Sequence, residues 1–141
     1  MHPRVSSFET RETADGATLV RARGRTLGTA LAATADAVVE SRWPSPLDPG
    51  PERLDAAATG DDPTSLLFDY LDELAYQRDV RGVVPVDNDA TVEERGGRLR
   101  LSGTFRGAEP SAGGQNRRVA ASADPPVYRT DEGWTVELRL E

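Results

Sequence analysis

An α+β two-layer sandwich, with two helices packed on one face of a mostly antiparallel sheet, is the fold class this sequence predicts. Three observations carry it. Two stretches, starting near Leu27 and Leu66, space their apolar residues at the helical period. About seven others alternate or run apolar over strand length. Both helices are placed early, which suits helices covering one face of an antiparallel sheet. With 141 residues there is enough chain for one hydrophobic core and not for two, so 1–141 reads as a single domain.

Alternation in Val5 to Glu9 and in Ala17 to Arg23 predicts two short strands, and Asp15-Gly16 between them is a hairpin signal. Thr26 can cap a first helix, whose apolar positions are Leu27, Leu31, Ala35, Val38 and Val39. Trp43-Pro44-Ser45-Pro46 ends it, because proline cannot continue the hydrogen-bond ladder, and the stretch through Pro49-Gly50-Pro51 reads as a loop. A faint strand signal covers Arg53 to Ala58. Asp62-Pro63 then starts a second helix as N-cap and first-turn proline. Its stripe is Leu66, Leu67, Tyr70, Leu71 and Leu74, and its expected length is about 20 Å. Val83 to Val86 and Ala90 to Glu94 read as strand pieces around a turn at Asp87-Asn88-Asp89. Gly96-Gly97 turns the chain into a strand through Leu99, Leu101 and Thr104, and Glu109 to Gln115 reads as a loop. Two last strands lie near Arg118 to Ser122 and Trp134 to Leu140, with Pro125-Pro126 and Asp131-Glu132-Gly133 as punctuation.

Charge and composition exclude more than they select. There are 24 acidic residues against 17 basic ones, all arginine, giving a net charge of −7. Such a lysine-free, acid-rich surface is typical of proteins working in high salt, so a halophilic archaeon is the expected source, with a high-GC coding bias as the other reading. Direct nucleic-acid binding is not expected, since phosphate contacts need clustered positive charge. Cysteine is absent, which removes disulfides, thiol nucleophiles and thiolate metal sites and fits a reducing, cytoplasmic setting. No apolar run nears the roughly 20 residues that cross a bilayer, and Met1-His2-Pro3-Arg4 has no apolar stretch behind it, so neither membrane span nor secretory signal is expected.

The single histidine, His2, sits in a terminal segment, so triads and histidine metal sites are out. No phosphate loop ends in Lys-Ser or Lys-Thr. Hard cations held by carboxylates stay open, because calcium and magnesium take oxygen ligands. Asp69, Asp72 and Glu73 read first as a solvated helix face, with docking of a basic partner as the other reading. Asp87 and Asp89 read as turn residues, Glu93-Glu94 as exposed strand edge, Arg95, Arg98 and Arg100 as solubility, and Trp43 and Trp134 as core anchors. A carboxylate-dependent enzyme needs two acids in one cleft, and no spacing here selects such a pair.

The order of motifs resembles the archease family from about Phe8 to Glu141. Phe8-Glu9-Thr10-Arg11-Glu12-Thr13-Ala14-Asp15 is similar to the family's opening strand and its His-Thr-Ala-Asp, without the histidine. Gly24-Arg25-Thr26-Leu27 then leads into an alanine-rich helix. Ser65-Leu66-Leu67-Phe68-Asp69-Tyr70-Leu71-Asp72-Glu73-Leu74-Ala75-Tyr76 looks like the family's second helix, and Val83-Val84-Pro85-Val86 like the strand after it. Gly133-Trp134 before a closing strand matches the family's C-terminus.

That resemblance implies an accessory activator, not an enzyme, of the RtcB-type tRNA-splicing RNA ligase, promoting its guanylylation and repeated turnover. It implies a divalent cation, Ca²⁺ first and Mg²⁺ second, between two acids. Carried over by position these are Asp15 and Glu141, the latter seven residues after Trp134 and offering its side chain and a terminal carboxylate. The family's strand lysine corresponds to Arg117, to Arg118 or to nothing, and Glu12, Arg117 and Arg118 are the expected ligase contacts. The alternative is a degenerate protein-binding module that keeps the scaffold without metal-dependent activation.

Overall fold

The computed structural model describes residues 6–43, 47–110, 114 and 117–141. His2, Val5, Pro44-Ser45-Pro46 and most of the expected Glu109–Gln115 loop lie outside them. The elements run β1 (Ser6–Glu12), β2 (Thr18–Gly24), α1 (Leu27–Arg42), β3 (Pro49–Gly60), α2 (Pro63–Arg81), β4 (Val84–Arg95), β5 (Arg98–Ala108), β6 (Val119–Ala121), β7 (Val127–Thr130) and β8 (Gly133–Leu140). The α+β class, the two helices and the antiparallel pairing are as the sequence predicts, and the strands divide into two sheets. One has the order β1-β2-β8-β6 with β7 also on β8, the other β3-β5-β4.

α1 explains how the two sheets are held together. Thr26 caps it through the Thr29 N–H, and Thr29 answers in a capping box. Leu27, Gly28, Leu31, Thr34, Ala35, Val38 and alanines 30, 32, 33 and 37 are all buried. A helix apolar on nearly every side must be covered on more than one. α1 packs on β2 of one sheet and β4 of the other. Its small side chains let the backbones close in: a Cβ on Gly28 would run into the Ala90 carbonyl. α2 covers β3. Its N-cap is Asp62, whose carboxylate accepts from the Ser65 N–H at 2.8 Å.

Several expectations need correcting. Pro49-Gly50-Pro51 is not loop but the start of β3. β3 is a sheet edge, where proline's missing N–H costs no ladder bond, and the register shifts between Pro49 and Arg53. α2 has 19 residues, about 28 Å, because it runs on past its apolar stripe until Gly82 stops it in a left-handed conformation (φ 69°). Asp87-Asn88-Asp89 is not a turn between strands. It is a bulge inside β4, where the register on β5 shifts between Val86 and Asp89 and Asp87 has φ 52°. β7 carries no separate signal because its four residues sit between the two punctuation marks.

β8 positions the site. It pairs with β2 along one edge, Thr18 opposite Leu140 and Gly24 opposite Trp134. Its other edge is shared by β7 at Gly133–Val136 and β6 at Leu138–Leu140. Between them the chain steps outward opposite Glu137, whose N–H donates to the Pro126 carbonyl at 2.8 Å.

Candidate functional site

The β2–β8 register decides what the first hairpin meets. With Thr18 opposite Leu140, the turn before Thr18 lies beside the residue after Leu140. The turn is closed by the Thr13 N–H on the Ala17 carbonyl at 2.8 Å and the Gly16 N–H on the Thr13 carbonyl at 3.1 Å. Gly16 has φ 89°, a left-handed conformation favouring glycine. Asp15 projects from this turn, accepts from the Thr13 hydroxyl, and takes an Arg139 guanidinium nitrogen at 2.5 Å. The Thr13 hydroxyl and then Arg139 hold the Asp15 carboxyl below the usual aspartate range, so it is ionised at neutral pH.

Glu141 comes to the same guanidinium from the other side. Its N–H donates to the Arg118 carbonyl at 2.9 Å and its carbonyl accepts from the Arg118 N–H at 3.1 Å. Its side chain lies 3.9 Å from Arg139 Nε and 3.5 Å from Arg118. Asp15 and Glu141 are therefore both within 4.0 Å of Arg139.

Arg117 is turned inward. One nitrogen donates to the Thr18 hydroxyl at 2.6 Å, and the other to the carbonyls of Gly16 at 3.0 Å and Leu140 at 2.9 Å. It clamps hairpin and final strand together, so its guanidinium is spent on the fold. Arg118 points outward, with 78% of its side chain exposed. Glu12 ends β1 opposite Thr18 and is exposed. Asp69 accepts from the Thr59 N–H at 2.9 Å, which ties α2 to the end of β3. Arg98 and Arg95 pair with Asp61 and Glu93, as a solvated ladder does. Sequence reasoning missed Arg139. Its signal was present in the alternation of β8, which puts residues 139 and 141 on one face.

As ligands, the Asp15 and Glu141 carboxylates fit a hard divalent cation in kind: oxygen donors, charged and open to solvent. In number they are few, since the described residues hold no group of three or more acids, histidines or cysteines suited to a metal. The positive charge between the two acids is at present Arg139's own. Its side chain is 30% exposed. No helix among the described residues is long and apolar enough to cross a membrane.

The family model described as Archease protein family (MTH1598/TM1083) matches residues 8–137. That span takes in Glu12, Asp15, Arg117 and Arg118 and stops two residues short of Arg139. No curated protein matches. Among solved structures, the solution structure of Methanobacterium thermoautotrophicum protein 1598 is similar, with TM-score 0.69 and 25% identity, covering 97% of this chain and 98% of that one.

Proposed function

Because the chain belongs to the archease family, we propose that it activates an RtcB-type tRNA-splicing ligase, promoting ligase guanylylation and repeated turnover. The family is one of accessory proteins tied to tRNA ligation, not of catalysts. The observation that carries the finer reading is the convergence of Asp15 and Glu141 on one guanidinium at an exposed edge. Asp15 and Glu141 are the proposed ligands of a divalent cation, Ca²⁺ or Mg²⁺, which would bring two positive charges to an edge that faces the ligase. This chain's part is to hold two carboxylates about one guanidinium, the hairpin fastened to β8 by Arg117. Exposed Glu12 and Arg118 are the proposed ligase contacts, with Arg117 acting from behind them. Cytoplasmic location and a high-salt host belong to the same proposal, supported by the cysteine-free, lysine-free composition.

The test mixes the protein with the ligase of its own organism and counts products per ligase molecule. Many turnovers with the wild type and about one with Asp15→Asn are expected; a count of one with both overturns the proposal. Arg139 favours a second reading, a protein-binding module that needs no metal because the guanidinium already neutralises the acids. Calorimetry separates the two: heat on adding Ca²⁺ or Mg²⁺, lost in Asp15→Asn, supports the first, and no heat with an intact fold supports the second.

A further inference from the structure

Between the C-terminal halves of α1 and α2 and the start of β6 lies a cavity of about 260 Å³. Its floor is apolar, with Val38, Phe68, Leu71 and Val119, while its rim carries Arg42, Arg78, Arg117 and Arg118 against one acid, Asp72. Four guanidinium groups to one carboxylate reverses the balance of a chain whose net charge is −7. Three of the four have partners: Arg117 in the hairpin clamp, Arg118 toward Glu141 at 3.5 Å, and Arg78 toward Asp79 at 3.3 Å.

Arg42 differs. One nitrogen donates to the Arg117 carbonyl at 2.8 Å, while its Nε is buried with no acceptor, and among the described residues no carboxylate pairs with it. Desolvation, then the neighbouring Arg78 charge, push its pKa down. An arginine in the last turn of α1 suits the helix dipole. That does not explain a half-buried guanidinium beside a like charge with its Nε shielded and unmet. An anion would both accept from that donor and offset the paired positive charges. Two adjacent guanidinium groups call for a charge nearer −2 than −1, and their planar donor forks match phosphate oxygens. The floor asks for an apolar group on the same molecule.

We infer that this cavity binds a phosphate monoester, its dianion facing Arg42 and Arg78 and its apolar group lying on the floor between α1 and α2. The site adjoins the Asp15–Glu141 edge through Arg117 and Arg118, but Arg42 and Arg78 take no part in that edge and the test does not involve the ligase. Trp43 lines the cavity and reports on it once the other tryptophan is replaced in a Trp134→Phe background. Phenyl phosphate at pH 7.5 is expected to change Trp43 fluorescence saturably and to raise the melting temperature. Arg42→Gln is expected to weaken binding about tenfold and Arg78→Gln severalfold, and benzoate to bind about tenfold less tightly than phenyl phosphate. Should Arg42→Gln lower stability through the lost Arg117 contact, Arg78→Gln carries the test, since its described ion pair is only with the adjacent Asp79. No saturable change, undiminished binding in both variants, or benzoate binding as tightly as phenyl phosphate overturns the assignment.

Discussion

Two aspartates, Asp15 at the hairpin edge and Asp36 beneath the β4 bulge, meet opposite fates. Asp15 is exposed, held by a hydroxyl and a guanidinium, and its pKa is drawn down. Asp36 on α1 is half-buried, and desolvation pushes its pKa up. No arginine pairs with it among the described contacts. Instead it accepts from the Asn88 backbone N–H at 3.0 Å and side-chain amide at 2.8 Å, and Asn88 in turn accepts from the Tyr70 hydroxyl at 3.4 Å. The difference teaches which charge is architecture and which is available. The half-buried acid joins α1, α2 and β4, and moving it would strand polar groups. The exposed acid costs little to re-pair, as a recruited ligand must.

Removing the amide under the bulge should break that contrast most strongly. Asn88→Ala leaves the Asp36 carboxylate short of a donor, and a loss of about 3 kcal/mol is expected in urea unfolding. A loss below about 0.5 kcal/mol would mean that water reaches Asp36 and the network is not architectural. Next in size is Arg117→Met, which removes three bonds to the hairpin and Leu140, for about 1–2 kcal/mol. Hydrogen exchange should then quicken at Ala17, whereas unchanged exchange there would show that the strand ladder alone holds the hairpin.

The pH dependence separates the two acids by sign. A carboxyl whose folded pKa is raised destabilises as pH climbs from the ordinary aspartate value through the raised one. Asp36→Asn should therefore melt higher relative to wild type at pH 7 than at pH 3.5; an equal difference at both values contradicts the burial account. Asp15, with its pKa lowered, contributes above the ordinary value and loses that contribution as pH falls through the lowered one. The smallest effect on stability is expected from Arg139→Gln, a melting temperature within error of wild type. It should nevertheless tighten Ca²⁺ binding about tenfold, since one unit charge is removed at contact distance. Unchanged or weaker Ca²⁺ binding in that variant would show that Arg139 does not compete for the acids.

Much of this was legible in the sequence because local chemistry decided it. Thr26 and Asp62 announced their helices, Gly96-Gly97 its hairpin, and alternation most of the strands. What failed to show is set by partners distant in sequence. Pro49 and Pro51 read as loop until β3 is known to be an edge, and Asn88 reads as turn until Asp36 is found beneath it. At the candidate site, Asp15 and Glu141 came from family resemblance, and no local rule would pair them. Arg139 was overlooked because it counted as one arginine among seventeen. Nothing in the sequence sets Arg42 apart from the other arginines, and only packing reveals its unmet donor.

The placement of β8 also governs the order of assembly. It is the last strand among the described residues and yet lies inside its sheet, with partners on both edges, and the Arg21–Glu137 cross-strand pair spans 116 positions. The β1–β2 hairpin can form early from neighbouring residues, but one side of it stays without a mate until β8, more than a hundred residues on, arrives. Closure of so wide a loop is slow, and an unmated strand edge invites wrong pairing in the meantime. The acidic edge proposed to meet the ligase would then be among the last features of the molecule to mature.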